Sequence, residues 1–304
     1  AVRSRRTREL GNRAAEADSF IVLPLSGYVS NNDGQACGFK VSTYGAQQQT
    51  AAADGRPDCG NGLRPDGTMI TGNNPLDTSI AIAPAFVADW VEYLVGRFGR
   101  ADAGGVGFYN LDNEPDLWFE THRDIKPIGY KYNEIRDLTY QYGAAIKAAD
   151  PSAELLGPVV HGWPYYWNSP YDGQREDWDD PDDRNAHGGT PFVAWYLQQM
   201  KAYEDDNDVR ILDYMDLHYY PQAPGVSLGA AGNAATQALR LRTTRSLWDP
   251  TYVDESWIAD PAPDGGIVRL IPRMREWVAE NYPGTKLAIS EYNWGGLEHI
   301  NGAL

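Results

Sequence analysis

Short apolar segments alternate with amphipathic helical segments along this chain of 304 residues, and this alternation limits the possible folds more than any other feature. Five segments are predicted to be buried strands, at 20–25, 106–111, 154–157, 214–219 and 286–290. Apolar residues repeat at helical spacing in four further segments, at 79–98, 131–148, 191–203 and 267–281. Strands separated by helices form parallel sheets, so the sequence predicts an α/β fold.

The long segments without helical or strand periodicity follow predicted strands rather than helices. Segment 30–78 is rich in Gly, Asn, Asp and Pro, and segment 161–189 is rich in Trp, Tyr and Asp, so we expect loops in both. In a (β/α)₈ barrel, the loops that follow the strands form the face that carries the active site. A doubly wound open sheet is the alternative. It would be favoured by a Gly-rich phosphate loop, but no such loop follows any of the predicted strands.

Composition excludes several classes of function. The formal net charge is −16, and a strongly acidic chain repels phosphate backbones, so nucleic acid is not an expected partner. No apolar run approaches the length of a membrane span. The basic residues at 1–6 lead into no apolar segment, so no signal peptide is visible. The 10 Trp and 19 Tyr suit either packing or a cleft where flat rings stack on sugars.

The chain has two cysteines, Cys37 and Cys59, in one Gly- and Asp-rich segment. A disulfide that closes this loop is expected in an oxidising compartment, and two free thiols are the alternative. Together with five scattered His residues, the two cysteines give no zinc-ligand spacing.

Two glutamates stand at the predicted ends of two strands. The apolar run 106–111 leads into Asn113-Glu114-Pro115, where Pro115 ends the strand because it cannot donate to the ladder. The run 286–290 leads in the same way to Glu291. A pair of carboxylates at one face of a sheet suits glycoside hydrolysis, in which one is protonated and the other ionised. A surface acid or a salt-bridge partner is the alternative for each glutamate alone.

Around these glutamates the chain resembles glycoside hydrolase family 44, a family of endo-β-1,4-glucanases and xyloglucanases. The resemblance extends over essentially the whole chain. The matching runs are FYNLDNEPDLW (108–118), THRD (121–124), AAIKAADP (144–151), LLGPV (155–159), FVAWYLQQMKAYE (192–204), LDYMDLHYYPQ (212–222) and LAISEYNWGG (287–296).

The resemblance implies a role for each matching residue in a retaining mechanism. It implies that Glu114 is the acid/base and that Glu291 is the nucleophile, with Asn113 at the 2-OH of the sugar. It also places His218 and Tyr220 near the nucleophile, which they would orient or hydrogen-bond. A buried core His and a packing Tyr are the alternative interpretations of these last two residues.

The resemblance further implies that residues 1–304 are a partial catalytic domain of a TIM-like barrel. If Glu114 ends the fourth strand and Glu291 the seventh, the segments at 154 and 214 are the fifth and sixth, and 20–25 is the third. Strands 1, 2 and 8 and a small β-sandwich domain are then expected outside this sequence. A five-strand remnant would expose an apolar edge. The isolated chain is therefore expected to fold poorly and to have little or no activity.

Several aromatic residues after strand ends are candidates for sugar binding. Packing in the core is the alternative for each of them. They are Trp118, Trp163, Tyr165, Trp178, Trp294 and Tyr28.

The acidic run after Trp178 is a weak candidate for a structural calcium site, since carboxylate oxygens are the ligands that Ca²⁺ prefers. Its spacing is not that of an EF-hand, and a solvated acidic loop is the favoured alternative. The four candidate ligands are Asp179, Asp180, Asp182 and Asp183.

The resemblance therefore implies a secreted, retaining endo-β-1,4-glucanase that hydrolyses internal bonds of cellulose-like glucans or xyloglucan. No cofactor is expected for catalysis, and the full-length form is expected to be a monomer. An inactive or glycan-binding fragment, or a hydrolase of mannan or xylan, remains as an alternative.

Overall fold

The computed structural model of the chain describes residues 17–32, 37–259 and 263–296. Its strands are β1 (Phe20–Leu23), β2 (Tyr28–Ser30), β3 (Phe39–Lys40), β4 (Thr50–Ala51), β5 (Arg56–Gly60), β6 (Ser79–Ala81), β7 (Phe108–Leu111), β8 (Glu154–Val160), β9 (Tyr214–Leu217) and β10 (Lys286–Ala288). The main sheet has five parallel strands in the order β1-β7-β8-β9-β10. Two small antiparallel units, β2-β6 and β3-β5-β4, lie in the segment between β1 and β7.

Ten α-helices lie in the described part of the chain: α1 (Val41–Tyr44), α2 (Pro84–Phe98), α3 (Trp118–Thr121), α4 (Tyr132–Ala149), α5 (Trp163–Trp167), α6 (Pro170–Gln174), α7 (Asp182–Ala186), α8 (Phe192–Asn207), α9 (Ala234–Thr243) and α10 (Leu270–Asn281). Short 3₁₀ helices cover Ala52–Asp54, Pro75–Asp77, Ala101–Ala103, Pro115–Leu117, Thr244–Leu247, Trp257–Ala259 and Pro263–Gly266. The long helices α2, α4, α8 and α10 pack on one another in that order along the sheet.

The core lies between the main sheet and these long helices. Each helix turns an apolar stripe toward the sheet, and the stripe residues are nearly inaccessible to solvent. The strands contribute the opposite wall with every second residue, because successive side chains of a strand point to opposite faces. Representative core residues are Val87, Val91, Ile135, Ile146, Leu197, Met200 and Met274 from the helices, and Leu23, Leu111, Leu155 and Met215 from the strands.

On the opposite face of the sheet Asn110 and Asp216 are buried, whereas the part around Phe20, Phe108 and Tyr214 is not covered by described residues. It forms an apolar concavity of about 400 Å³ lined by Phe20, Phe108, Leu156, Tyr214, Ala288, Ile289 and Ser290. At the β1 edge, Phe20 is 44% exposed and Val22 is 40% exposed. Exposed apolar side chains that line a shared concavity, unlike single ones, mark a surface that another element or molecule can cover.

The structure confirms the predicted α/β fold with a parallel sheet, and all five predicted strands are present with shifted ends. The strand order follows the chain order and does not reverse among the five described strands, whereas a doubly wound sheet reverses at a switch point. None of the described helices combines the length and the apolar character that a membrane-spanning helix requires.

One predicted helix begins later in the structure than its sequence pattern indicates. The predicted helix at 79–98 begins only at Pro84, and Ser79–Ala81 instead pairs antiparallel with Tyr28–Ser30. Pro84 sits in the first helical turn, where its missing N–H has no partner to lose, and the residue before a proline avoids helical angles.

The segments predicted as loops also carry short elements. Segment 30–78 contains β3, β4, β5 and α1, and segment 161–189 contains α5, α6 and α7. Elements of two to five residues are too short to show a hydrophobic period, so they cannot be predicted from periodicity. Cys37 and Cys59 are joined by a disulfide, with their Cα atoms 5.1 Å apart.

Candidate active site

Glu114 lies in a strained turn directly after β7. Its backbone adopts φ 45° and ψ 57°, a left-handed conformation that is unusual for a residue other than glycine. Its N–H donates to the carbonyl oxygen of Val159 at 3.0 Å, and Val159 also has a positive φ of 58°. Such conformations persist only where the surroundings enforce them, and they concentrate at functional sites.

The neighbours of Glu114 fix this turn in place. The carboxylate of Asp112 accepts from the backbone N–H of Leu25 at 2.6 Å and of Asn113 at 2.9 Å, which ties the turn to the end of β1. Burial raises the pKa of the Asp112 carboxyl group, and these backbone hydrogen bonds partly oppose the rise. The indole N–H of Trp118 donates to the carbonyl oxygen of Asn113 at 3.1 Å. The side chain of Asn113 itself is exposed.

Glu291 follows β10 and meets residues that follow β9. Its carbonyl oxygen accepts from the N–H of Tyr219 at 3.0 Å, which extends the parallel pairing of the two strands. The hydroxyl of Tyr220 donates to Oε2 of Glu291 at 2.6 Å. Burial is the largest cause that raises the pKa of Tyr220, and the hydrogen bond to Glu291 raises it further. The phenol therefore stays protonated and keeps its hydrogen for the carboxylate.

His218 lies between the two glutamates. Its side chain is fully buried, and Nδ1 lies 2.9 Å from Oε1 of Glu114 and 3.5 Å from Oε2 of Glu291. The hydroxyl of Tyr166, on α5, donates to the backbone carbonyl of His218. The structure thus brings together four of the residues predicted from the sequence, and it places Asn113 directly before one of them.

The two candidate catalytic carboxylates are close to each other. One oxygen of Glu114, one oxygen of Glu291 and a ring nitrogen of His218 all lie within 4.8 Å of one another. Retaining glycosidases hold their two carboxyl groups about 5–5.5 Å apart, and inverting enzymes hold them about 6.5–9.5 Å apart to admit a water molecule. The short spacing therefore matches the retaining arrangement.

A second pair of ionisable groups lies beside Glu114, and sequence reasoning missed it. Asp116 is fully buried and accepts from the backbone N–H of His161 at 3.0 Å, with the ring Nδ1 of His161 at 3.3 Å. Burial raises the pKa of Asp116. Burial lowers the pKa of His161, but its hydrogen bond to Asp116 and the charges of Asp116, Glu114 and Glu120 outweigh that, so its pKa is raised. A signal existed, since His161 directly follows the apolar strand β8.

The predicted sugar-binding aromatics fall into two groups. Trp118, Trp163 and Tyr165 are 2%, 5% and 7% exposed, so their rings belong to the packed interior and offer little face to a ligand. Trp163 packs edge-on against Trp167 with ring centroids 5.3 Å apart. Sugar stacking by these three residues has no support in the structure.

The other three aromatics reach the surface. Trp178 is 43% exposed and packs edge-on against Tyr165. Trp294 is half-buried, and its indole N–H donates to the hydroxyl of Thr243 at 3.1 Å. Tyr28 lines a polar cavity of about 440 Å³ that also borders Asp112.

The four candidate calcium ligands do not point to a common centre. Asp183 is buried and accepts from the backbone N–H of Tyr132 at 2.9 Å. Asp180 accepts from the side chain of Asn185 at 2.7 Å, Asp182 lies 3.7 Å from the guanidinium of Arg175, and Asp179 is exposed. The exposed Asp179, Asp180 and Asp182 fit the alternative of a solvated acidic loop, whereas Asp183 is buried against α4.

The parallel sheet, the carboxylate pair at its strand ends and the short spacing of that pair match the arrangement found in retaining glycoside hydrolases. Residues 7–223 match the model of glycoside hydrolase family 44. The chain belongs to this family, and the resemblance seen in its sequence is confirmed.

Three similar proteins support the assignment. The chain is 37% identical over 225 residues to endoglucanase A of Paenibacillus lautus, covering 72% of this chain and 31% of that protein. It matches the crystal structure of CelM2, a bifunctional glucanase-xylanase from a metagenome library, with a TM-score of 0.91 and 42% identity, covering 98% of this chain and 57% of that one. A Paenibacillus polymyxa xyloglucanase solved with xyloglucan matches with a TM-score of 0.74 and 30% identity, covering 98% and 54%. The chain thus spans about a third of that curated relative and just over half of the two solved chains.

Proposed function

We propose that the protein is a retaining endo-β-1,4-glucanase that acts on cellulose-like glucans or xyloglucan, with Glu114 as acid/base and Glu291 as nucleophile. The observation that carries this proposal is the pair of carboxylates at two strand ends, with oxygens within 4.8 Å of one another and His218 between them. Membership of glycoside hydrolase family 44 and the printed activities of the similar proteins support it.

The proposed reaction has two displacement steps. In the first, a carboxylate oxygen of Glu291 bonds to the anomeric carbon while the glycosidic bond breaks, and the departing oxygen takes the proton of Glu114. In the second, Glu114 removes a proton from water, the water oxygen bonds to the anomeric carbon, and the bond to Glu291 breaks. Each step inverts the anomeric carbon, so the product keeps the configuration of the substrate.

The neighbouring side chains have positioning and binding roles in this proposal. The hydroxyl of Tyr220 holds the Glu291 carboxylate at 2.6 Å. Asn113, exposed beside Glu114, is proposed to hydrogen-bond the sugar 2-OH. The surface rings of Trp178 and Trp294 are proposed to contact the glycan chain.

We further propose that the five-stranded sheet is part of a (β/α)₈ barrel, in which β1, β7, β8, β9 and β10 are strands 3 to 7. The parallel strands in chain order and the uncovered concave face support this proposal. The remaining strands and a β-sandwich domain would belong to a longer protein. Secretion and a monomeric state are proposed for that protein, because a polymeric glucan is met outside the cell and a disulfide forms under oxidising conditions. No cofactor is needed for this reaction, and a structural calcium ion would be an addition to it.

The experiment uses the full-length protein and a panel of carboxymethylcellulose, xyloglucan, xylan and mannan. Aryl β-cellobiosides are added because their leaving groups depart without acid assistance. We expect Glu114→Gln to lower kcat on the polysaccharides by about a hundred- to ten-thousandfold, the value of general acid catalysis, and to retain more activity on the aryl glycosides. Glu291→Gln should abolish both. The exposed Glu92→Gln is the matched control and should behave as the parent protein.

The stereochemistry and the substrate panel separate the alternatives. Proton NMR of early products should show the β-anomer, whereas an α-product would overturn retention. Equal losses on both substrate types would contradict the acid role of Glu114. A full-length protein that binds glucan without hydrolysing it would favour the binding alternative, and preference for xylan or mannan would reassign the substrate.

A further inference from the structure

A histidine–aspartate pair at the end of β8 has no role in the proposed reaction, although it lies beside the candidate acid. The fully buried carboxylate of Asp116 accepts from the backbone N–H of His161 at 3.0 Å and lies 3.3 Å from the ring Nδ1 of the same residue. Asp116 stands two residues after Glu114 in the same turn. The turn that carries Glu114 therefore also fixes the position of the imidazole ring.

Two backbone hydrogen bonds define where this ring stands in the sheet. The carbonyl oxygen of Val159 accepts from the N–H of Glu114 at 3.0 Å, and that of Val160 accepts from the N–H of His218 at 3.0 Å. His161 is the next residue of the chain, so it emerges between the segments that carry Glu114 and His218. Ligands of parallel α/β sheets bind at this edge, outside the carboxyl ends of the strands.

The second ring nitrogen of His161 is available to a ligand. The side chain is 34% exposed, and no residue in the described ranges hydrogen-bonds its Nε2. Because Nδ1 is turned to the buried Asp116, the exposed part of the ring is the edge that carries Nε2. A sugar hydroxyl can both donate and accept, so it can bond to Nε2 whether or not this nitrogen carries a hydrogen.

A row of rings connects His161 to an exposed aromatic residue. The ring centroids of His161 and Tyr165 are 6.1 Å apart, and those of Tyr165 and Trp178 are 6.2 Å apart. Trp178 is 43% exposed and is proposed above to contact the glycan chain. Glu291, in contrast, follows β10, which is separated from β8 by β9. His161 and Trp178 therefore mark the side of the cleft that belongs to the acid.

We propose that His161 is a substrate-binding residue whose Nε2 hydrogen-bonds a hydroxyl of the sugar on the leaving side of the cleaved bond, and that Asp116 is the positioning residue that orients its ring. This inference rests on the proposed function of Glu114 as the acid, because the acid gives its proton to the oxygen that leaves with that sugar. A group fixed to the turn of the acid is close to the leaving sugar, whereas the sugar bonded to Glu291 lies toward β10.

The same contact predicts how the glycosyl-enzyme is divided between water and a sugar acceptor. When added cellobiose replaces water, its hydroxyl oxygen bonds to the anomeric carbon, its proton passes to Glu114 and the bond to Glu291 breaks. The acceptor sugar must occupy the leaving side of the cleft, but water needs no such contact. Loss of the Nε2 contact should therefore lower transfer to cellobiose more than hydrolysis.

The test uses the full-length protein with 4-nitrophenyl β-cellobioside as donor and cellobiose as acceptor. The cellotetraose formed per nitrophenol released is a partition ratio, which does not depend on the fraction of a variant that folds. His161→Gln keeps an amide near the position of Nε2, His161→Asn keeps one only near Nδ1, and His161→Ala keeps neither. The matched control is His187→Gln, because Nδ1 of His187 lies 3.5 Å from Oδ1 of the buried Asp183, at the end of α7.

We expect His161→Ala and His161→Asn to lower the partition ratio by about three- to tenfold, the effect of losing one hydrogen bond, and to lower kcat/KM on glucan by a similar factor. Asp116→Asn should lower the ratio less, and His161→Gln should recover most of it. Nitrophenol release from the donor alone and the His187→Gln control should match the parent protein.

Three outcomes would overturn the inference. The first is an unchanged partition ratio in His161→Ala. The second is recovery by His161→Asn rather than by His161→Gln, which would show that only the contact with Asp116 matters. The third is a loss of nitrophenol release from the donor alone that equals the loss on glucan, which would place the contact on the other side of the cleaved bond.

Binding without turnover separates this inference from the proposed function. Isothermal titration calorimetry of cellohexaose with the Glu291→Gln variant measures the affinity for a chain long enough to occupy both sides of the cleaved bond. Adding His161→Ala should raise Kd by about three- to tenfold, whereas adding His187→Gln should not, and an unchanged Kd in the first case contradicts the contact. If the parent protein does not hydrolyse glucans but this difference in Kd is found, the proposed function fails while the contact of His161 stands.

Discussion

At the scale of single residues, the hydroxyl of Tyr220 is a testable part of the site. It donates to the carboxylate of Glu291 at 2.6 Å, and hydrogen bonds to charged groups contribute about 1.5–3 kcal/mol. We expect Tyr220→Phe to lower kcat by roughly ten- to a hundredfold through loss of this orientation. Polysaccharides and aryl glycosides should suffer alike, because both require attack by Glu291. Steady-state kinetics on the two substrate types measures the effect.

Tyr252→Phe is the matched control for this variant. Its hydroxyl donates to Oε1 of Glu255 at 2.8 Å, which is a tyrosine–glutamate pair outside the candidate site. The control should leave kcat unchanged. If both variants lose activity equally, or if Tyr220→Phe loses activity only on polysaccharides, the orienting role assigned to Tyr220 is contradicted.

The sequence pointed to His218 and Tyr220 but not to Ser290, whose Oγ lies 3.1 Å from Nε2 of His218. In the run Asp216-Leu217-His218-Tyr219-Tyr220 the first, third and fifth residues share one face of the extended chain. The alternation of the sequence therefore predicts a polar face at the end of β9. Which residue of another strand meets that face depends on the register between β9 and β10, with Leu287 opposite Met215. Register across some 70 residues of intervening chain cannot be read from one sequence, and the strained φ of Glu114 and Val159 cannot either.

At the scale of secondary-structure elements, Arg273 joins α10 to α5. Its guanidinium lies 5.2–5.8 Å from the ring centroids of Trp163, Trp167 and Trp277. It donates to the carbonyl oxygens of Val268 and Ile267 at 3.1 and 2.8 Å, and the side chain is 4% exposed. A planar fork that stacks and donates in several directions cannot be replaced by an ammonium group.

We therefore expect Arg273→Lys to lower the free energy of unfolding by about 2 kcal/mol or more, because buried carbonyls lose donors and a buried charge loses partners. Urea denaturation of the full-length protein followed by tryptophan fluorescence measures this change. Arg275→Lys, two residues along the same helix but exposed, should change stability by less than about 0.5 kcal/mol. Similar losses for both variants would show that Arg273 has no special role.

The predicted elements agree with the structure where the apolar pattern is long. They differ where the pattern is short or where one segment contains both a strand and a helix. The helix at 131–148 was predicted within one residue at each end, since α4 covers Tyr132–Ala149 and keeps Ile135, Tyr142 and Ile146 on its buried face. The helix predicted from residue 79 begins only at Pro84, because Ser79–Ala81 pairs antiparallel with Tyr28–Ser30. Tertiary pairing decided that segment, and local periodicity did not contain the information.

At the scale of the whole molecule, described residues cover one face of the five-stranded sheet fully and the other face only in part. Helices bury the outer face, while the inner face exposes apolar side chains around a concavity of about 400 Å³. A parallel sheet is stable in proteins when both faces are covered. The net charge of −16 opposes association between molecules in solution, but it does not remove this apolar surface from water.

An isolated polypeptide of these 304 residues should therefore self-associate or bind a hydrophobic dye, and the longer protein proposed above should not. Phe20 and Val22, 44% and 40% exposed, lie on the edge strand of the described sheet and offer apolar area to a second molecule. Sedimentation velocity of the isolated chain should show concentration-dependent association, which Phe20→Ser with Val22→Ser should weaken. Phe86→Ser on α2, where Phe86 is 45% exposed on the helical side, is the matched control and should leave association unchanged. A monomeric, dye-silent chain would contradict the proposal that further strands cover the inner face.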